Sequence, residues 1–187
     1  MRLLSPDRAL GLLKSVDVNE WVRRSVAAGP NKPVLNFEQF WDGELLIRLF
    51  DGPTPKGRRD FHINTRAEFF YQFQGEMKCT VIINDDFVAT TCRQGEMFWI
   101  PPLVPHLNER EQGSIGLVIH TKRQPGALDA MAWYCEKCGA QLHRMDYAYE
   151  KDLRELLGPK IREFATNDAL RTCQRCGTIM QGELGLI

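Results

Sequence analysis

Neither sign of charge is in excess in this chain: 24 Lys and Arg stand against 24 Asp and Glu. That balance removes the electrostatic footprint expected of a protein that binds nucleic acid or an anionic membrane. Also missing is any apolar run approaching the roughly 20 residues that span a bilayer. The opening Met1-Arg2-Leu3-Leu4-Ser5-Pro6 lacks the long apolar stretch and small-residue cleavage site of a signal peptide. A cytoplasmic location is therefore expected. No low-complexity tract is present, and the only internal repetition is a pairing of cysteines.

What remains is a chain of 187 residues, enough for one domain with a small appendage. The six cysteines are read with the compartment in mind. In a reducing cytosol, regularly spaced cysteines bind metal more often than they form disulfides.

The segment Asp17–Ala28 reads as a short helix, capped by Asp17 or Asn19, with Trp21, Val22 and Val26 as its apolar stripe and Gly29-Pro30 as its stop. From Leu45 to His120 the texture changes to short apolar or alternating runs separated by turn residues: Leu45–Phe50, Phe69–Phe73, Met77–Ile83, Phe87–Thr91, Met97–Ile100 and Gly116–His120. Asn84-Asp85-Asp86 between two of them signals a hairpin. Closely spaced strands with no long helix between them predict a mainly β, antiparallel sandwich or barrel. The polar, turn-rich Thr121–Asp129 reads as a linker, dividing a barrel domain (1–130, with its N-terminal helical segment) from a C-terminal metal-binding segment (131–187). Helical patches are expected in the latter at Asp152–Leu157 and Pro159–Ala165.

The densest chemistry lies in Arg58–Gly75 (RRDFHINTRAEFFYQFQG) and Gly95–His106 (GEMFWIPPLVPH). On a strand, His62 and Asn64 share a face, and a tight turn at 64–66 would return Glu68 beside His62 on the next strand. The second block reads as a turn, a strand and a proline-stiffened loop that delivers His106. Each of these histidines alone is more often structural. Together, two imidazoles and a carboxylate can cap one face of a metal and leave three positions open, an arrangement suited to Fe(II) that binds a substrate and dioxygen together.

His62, Glu68 and Gly75 fit the first cupin motif, with Asn64 where a second histidine is usual; Gly95, Pro101 and His106 fit the second. More narrowly, both blocks resemble the 3-hydroxyanthranilate 3,4-dioxygenase family, over about Pro33 to Gly177. The resemblance implies a cupin barrel with catalytic Fe(II) on His62, Glu68 and His106, and a pocket asparagine at Asn36. It implies opening of an aromatic ring bearing adjacent hydroxyl and amino groups, to 2-amino-3-carboxymuconate semialdehyde. It also implies a homodimer, for which unpaired barrel edges are a contact surface. Two arginines map onto the family's pocket: Arg58 near bound oxygen, and Arg110 on the substrate carboxylate, which a planar guanidinium fork suits. One position departs. His120, aligned without gaps by counting back from Cys135, stands where the family has a glutamate that accepts a proton. A neutral imidazole can still accept one, but the charge balance shifts toward a more anionic ligand or another pose, and His120→Glu is expected to raise turnover of 3-hydroxyanthranilate.

Cys135-Glu136-Lys137-Cys138-Gly139 and Cys173-Gln174-Arg175-Cys176-Gly177 form two CxxCG knuckles, whose glycines permit the turn that aims both sulfurs at one ion. Four thiolates make a closed tetrahedral site, structural or electron-transferring, and either Zn or Fe satisfies the spacing. The resemblance to bacterial members favours a rubredoxin-like iron outside the ring-opening chemistry. Cys79 and Cys92, in apparent strands, read as buried inert thiols, and His143 has no ligand role. Beside the dioxygenase stand two other readings: a relative diverged at His120 with another aromatic substrate or chemistry, and a non-enzymatic cupin that binds aromatic acids.

Overall fold

The computed structural model describes residues 17–27, 35–40, 45–149 and 153–182. Helix α1 (Val18–Ala27) starts where expected, with Asp17 accepting the Glu20 amide at 2.9 Å. Its expected apolar stripe and its Gly29-Pro30 stop lie outside the described residues and side chains.

Eleven strands follow: β1 (Leu35–Phe40), β2 (Leu45–Asp51), β3 (Phe61–Ile63), β4 (Glu68–Gln74), β5 (Met77–Ile83), β6 (Asp86–Cys92), β7 (Met97–Ile100), β8 (His106–Arg110), β9 (Ile115–Thr121), β10 (Leu128–Tyr134) and β11 (Gln141–Ala148). They form two antiparallel sheets, β1-β2-β9-β4-β7 and β11-β10-β3-β8-β5-β6, the two-sheet barrel expected of a cupin. The β5–β6 connection is the hairpin that Asn84-Asp85 signals: Ile83 pairs with Asp86, and both turn residues have positive φ, 53° and 68°.

The inner faces follow from period-two alternation. Phe70, Ile100 and Val118 of one sheet meet Met77, Cys79 and Cys92 of the other in a single buried cluster, with Phe50, Val81, Phe98 and Val104 packed against it. Cys79 and Cys92 are thus core residues, and burial raises both thiols, Cys79 to about 12.

Three expectations need correction. Glu68 does not return beside His62 by a hairpin, because β3 and β4 belong to different sheets. The turn at 64–66 is instead a crossover, held by the buried Asp129 carboxylate, which accepts from the Thr65 amide at 2.8 Å and hydroxyl at 2.9 Å. Second, Leu128 and Asp129, read as linker, open β10. The polar composition misled because Asp129 is buried against specific donors, and the true turn is shorter, closed by the Ala127 amide on the Gln124 carbonyl at 3.0 Å. The boundary expected between 130 and 131 falls inside β10, where Ala130 pairs with Ile63. Third, the two helical patches are one helix, α2 (Leu153–Thr166), running through Pro159. Leu157, Ile161 and Phe164 bury against Met131, Trp133 and Tyr147, and such packing outweighs the proline's local cost of about 3 kcal/mol. Asp152, expected to open that helix, lies outside the described residues. A short helix α3 (Asp168–Arg171), capped by Asn167, leads into the second cysteine knuckle.

Candidate metal and substrate site

Strand register places the site residues in two inward rows that face each other. On one sheet, Val81, His106, His62 and Met131 are successive cross-strand neighbours on β5, β8, β3 and β10. On the other, Leu46, His120, Glu68 and Ile100 are neighbours on β2, β9, β4 and β7. His106 is the first residue of β8, so the loop expected to deliver it does so by starting a strand. That loop is pinned by the buried Asn64, whose carbonyl accepts from the amide of Leu103 at 2.8 Å, where φ is 64°.

The two rows touch at Glu68 and His106. His106 Nδ1 lies 2.9 Å from the Val104 carbonyl, so that nitrogen carries the proton and Nε2 keeps its lone pair. Nε2 lies 3.1 Å from Glu68 Oε2, the spacing of two neighbouring ligands on one ion with bonds of about 2.1 Å. Burial by itself would raise the Glu68 carboxyl. Against that, the pull toward the anion comes from the neighbouring histidines whenever they carry a second proton, His106 before His120 and His62, and it takes the carboxyl to about 2.

His62 shares the face, its ring stacked 6.2 Å from that of His106. Its Nε2, however, is turned to Asp60 Oδ2 at 3.2 Å and to the Arg58 guanidinium. Among the described residues, only the four knuckle cysteines form a group of three or more metal-ligating side chains with all ligand atoms within 4.8 Å of one another. The His62, Glu68 and His106 set is more open than that. Its donor types are ones that hold a divalent metal; Glu68 and His106 approach at ligand spacing, while His62 is engaged by Asp60 and Arg58.

Arg58 clamps the fully buried Asp60 with two bonds of 2.7 Å. Burial opposes ionisation of Asp60, but Arg58 outweighs it and keeps the carboxyl below its usual range. Arg110, facing inward from the far end of β8, donates to Gln72 Oε1 at 3.1 Å and lies over the Phe50 ring at 5.8 Å. It is 9% exposed, and no carboxylate pairs with it among the described residues. Burial lowers its guanidinium to about 10. Gly116 makes room for it: a Cβ there would lie 2.6 Å from Gln72 Oε1 and 3.0 Å from Arg110 Nη1. Asn36 sits on β1 at the register of Arg48, with its side chain outside the described set.

His120 is 3% exposed and inward. Arg123 reaches its Nδ1 and is itself held by Asp129, at 2.8 Å from Nε and 2.7 Å from Nη2. Tyr149 meets the His120 ring edge-on at 5.9 Å and lies under both Arg123 and Arg48. Burial, then the Arg123 charge, pull His120 down to about 4; Arg48 adds to this, while Glu68 and the Thr121 carbonyl oppose it.

Sequence reasoning missed Asp60, Gln72, Asn108, Arg123, Asp129 and Tyr149. Two of these carried a signal. Asp60 and Asn108 stand two residues from His62 and His106, so alternation puts them on the same face. Asn108 Oδ1 is buried with no hydrogen-bond partner among the described residues.

The cysteine knuckles are near-copies. The Gly139 and Gly177 amides donate to the Cys135 and Cys173 carbonyls at 2.8 and 2.9 Å, each glycine at φ 71°. The Cys135–Cys176 and Cys138–Cys173 sulfurs are 3.6 and 3.5 Å apart. Tetrahedral thiolate ligation needs about 3.8 Å, and a disulfide about 2.05 Å. The set fits one tetrahedral ion. It docks on the β5–β6 turn, where a Cβ on Gly139 would lie 1.7 Å from the Asp85 carbonyl oxygen, and Arg175 donates to Asp85 at 2.8 Å.

The chain is 38% identical over 154 residues to the 3-hydroxyanthranilate 3,4-dioxygenase of Ruegeria pomeroyi, covering 81% of this chain and 84% of that one. It is 33% identical over 180 residues to the protein of that name from Bacillus thuringiensis, covering 95% and 94%. Against that of Candida albicans the identity is 35% over 148 residues, covering 79% and 85%. Among solved structures, an oxalate oxidase in complex with glycolate superposes with a TM-score of 0.41 and 18% identity, covering 50% of this chain and 52% of its own. The sequence profile of the 3-hydroxyanthranilic acid dioxygenases matches residues 12–165, and the chain belongs to that family.

Proposed function

We propose that this protein is an iron(II)-dependent dioxygenase that opens the ring of 3-hydroxyanthranilate, or a close aminophenol carboxylate. Both atoms of dioxygen enter the product, 2-amino-3-carboxymuconate semialdehyde. The observation that carries the proposal is the content of one barrel interior. A carboxylate and an imidazole lone pair meet there at ligand spacing, and a buried guanidinium that has no carboxylate partner among the described residues lies on the same strand as His106.

In this reading His62, Glu68 and His106 hold the metal, which when bound supplies adjacent positions for the aromatic ligand and dioxygen. Arg110 receives the substrate carboxylate through its planar fork. Asn36 belongs to the same pocket. Arg58, steadied by Asp60, places positive charge beside His62, where negative charge develops. Phe50, Phe70, Ile100 and Val118 wall the interior with apolar surface and keep water from the reacting groups.

Cys135, Cys138, Cys173 and Cys176 hold a second metal, iron or zinc, in a rubredoxin-like segment (131–187) that shares β10 with the barrel (1–130). The exposed apolar side chains on the outer face of β4 and β7 meet a second copy of the chain in a homodimer. None of the described helices is long and apolar enough to cross a membrane; a cytoplasmic location suits the reduced thiols.

The test is anaerobic reconstitution with Fe(II), followed by oxygen uptake on a panel of aminophenol carboxylates. Uptake with 3-hydroxyanthranilate and the ultraviolet spectrum of a ring-opened product are expected. Oxygen consumption only with other aromatic compounds would refute the substrate assignment.

A further inference from the structure

We propose that Asn108 is a specificity-determining residue of the barrel interior. Its side-chain carbonyl accepts a hydrogen bond from an N–H on the ligand, carried by the ring carbon between those bearing the carboxylate and the phenol oxygen. The ligand class rests on the ring-cleavage reading above; the idle state of this amide in the ligand-free protein does not.

Two inward rows face each other across the barrel. On β8, His106, Asn108 and Arg110 stand at alternate positions, so their side chains leave the same face of the strand. On β4, Glu68, Phe70 and Gln72 do the same. The rows are joined at both ends: His106 Nε2 lies 3.1 Å from Glu68 Oε2, and Arg110 Nη1 donates to Gln72 Oε1 at 3.1 Å. The middle members are Asn108 and Phe70. Cross-strand from Asn108 is Cys79, which packs with Phe70, Ile100 and Val118 in the buried apolar cluster. An amide is thus set into an apolar wall, between two polar contacts that span the interior.

That amide has nothing to bond. Asn108 as a whole is partly exposed, yet its Oδ1 is buried, and no donor reaches it among the described residues. Phe70, stacked on Phe98 at 5.0 Å, has no polar hydrogen to offer. A buried carbonyl left without a donor destabilises the protein that carries it. Arg110, two residues on, has no carboxylate partner among the described residues, and its positive charge favours the carbonyl end of the amide on this side over the NH2 end.

The order of the row then assigns the ligand group. With a carboxylate on Arg110 and a phenol oxygen at the metal position beside His106, an aromatic ring lies along β8 with its intervening carbon opposite Asn108. In 3-hydroxyanthranilate the substituent on that carbon is the amine. Its N–H supplies the missing donor, and its lone pair is left free. A substituent without a polar hydrogen would leave the carbonyl bare. Asn108 therefore distinguishes an aminophenol carboxylate from a phenol carboxylate of the same outline, which Arg110 cannot do.

The test uses the full-length protein loaded anaerobically with Fe(II) and two ligands of one shape: 3-hydroxyanthranilate, and 3-hydroxy-2-methylbenzoate, in which a methyl group replaces the amine. Calorimetry on the parent and on Asn108→Leu is expected to show the first weakened about tenfold, the worth of one buried hydrogen bond, and the second changed by less than about twofold. Asn108→Ala, which adds no bulk, should give the same difference and serves if leucine prevents folding. Equal losses, no loss, or a loss confined to the methyl compound overturn the proposal.

Melting of the ligand-free proteins is the second measurement. Replacing an idle buried amide by leucine, of nearly equal size, is expected to raise the melting temperature by about 2 °C. A fall shows that Asn108 is bonded within the protein, and overturns the proposal. If 3-hydroxyanthranilate neither binds the parent nor supports oxygen uptake, the ring-cleavage reading and this assignment fall together. If it is turned over and only the selective loss is missing, the reading stands and the role of Asn108 falls.

Discussion

Glu136, inside the first cysteine knuckle, is ion-paired with Arg59, and Arg59 donates to the main-chain carbonyl of Arg58 at 3.1 Å. The knuckle thus reaches the loop whose next side chains, Arg58 and Asp60, surround His62. Because both partners are partly exposed, the pair contributes at most about 1 kcal/mol to stability.

Its expected effect is therefore on geometry. Glu136→Gln should leave the melting temperature nearly unchanged and lower kcat/KM about threefold, because a small misplacement of a charged group near the reacting atoms is costly. Cys138→Ser, which removes one of the four thiolates, should lower kcat/KM likewise and, unlike Glu136→Gln, lower the melting temperature by destabilising the C-terminal segment. Paired steady-state kinetics and thermal melts decide this. If Glu136→Gln keeps full kcat/KM, no positional information passes through that pair.

Arg110 should show opposite effects on stability and on binding. A buried guanidinium without a carboxylate partner is costly in the ligand-free protein. Arg110→Met, similar in bulk and apolar, is expected to stabilise the free protein by about 1 kcal/mol. Without the guanidinium the substrate carboxylate has no partner, so KM should rise at least about thirtyfold, equivalent to some 2 kcal/mol. Denaturant titration and steady-state kinetics on the same preparation test both signs. A variant that is less stable and binds normally would show that Arg110 is a structural cation.

Acid sensitivity follows from His120. Its folded imidazole is held down to about 4 against an ordinary 6.5, by burial first and Arg123 second. Between those values the unfolded chain binds the extra proton and the native state does not. The stabilisation is complete above the unfolded value and is lost as pH falls through this window. Going from about pH 7 to 5 should cost the parent protein about 2 kcal/mol that His120→Gln does not lose. Urea denaturation of both proteins at the two pH values measures the difference. Equal acid losses would mean that His120 does not carry the native proton deficit.

What could be read from the sequence was local. Alternation found the strands on either side of Asn84-Asp85, and the CxxCG spacing placed all four thiols, because in each case the determining residues are a few positions apart. Asp129 shows why the rest was hidden. Its partner Thr65 is 64 positions away, and only burial makes an aspartate in a Gly- and Pro-containing stretch a strand residue. The facing of Glu68 toward His106 had the same difficulty: a jelly-roll crossover, not a hairpin, joins β3 to β4, and a turn-like Asn64-Thr65-Arg66 does not distinguish them. The strand β11 alternates, but its outward residues include Arg144 and Asp146, whose mutual salt bridge leaves a pattern too polar to stand out.

The outer face of the five-stranded sheet should govern assembly. Phe69 and Trp99 are cross-strand partners in an edge-to-face contact of 5.3 Å, yet they are 48% and 54% exposed, and Met97 on the same edge strand is 70% exposed. Ile47 and Ile119 continue the Phe69–Trp99 row across β2 and β9. A contiguous apolar surface ending on an edge strand with no further strand paired to it among the described residues is unfavourable in water and offers both side chains and backbone groups to a partner. Substituting Trp99 with lysine places a charge in the centre of that surface, where burial against a second copy would cost several kcal/mol. Sedimentation velocity should show a dimer for the parent protein and a monomer for Trp99→Lys, with unchanged strand content by circular dichroism. A parent protein that sediments as a monomer at all concentrations would remove the second copy from the proposal, and an unaffected dimer in the variant would move the contact to another face.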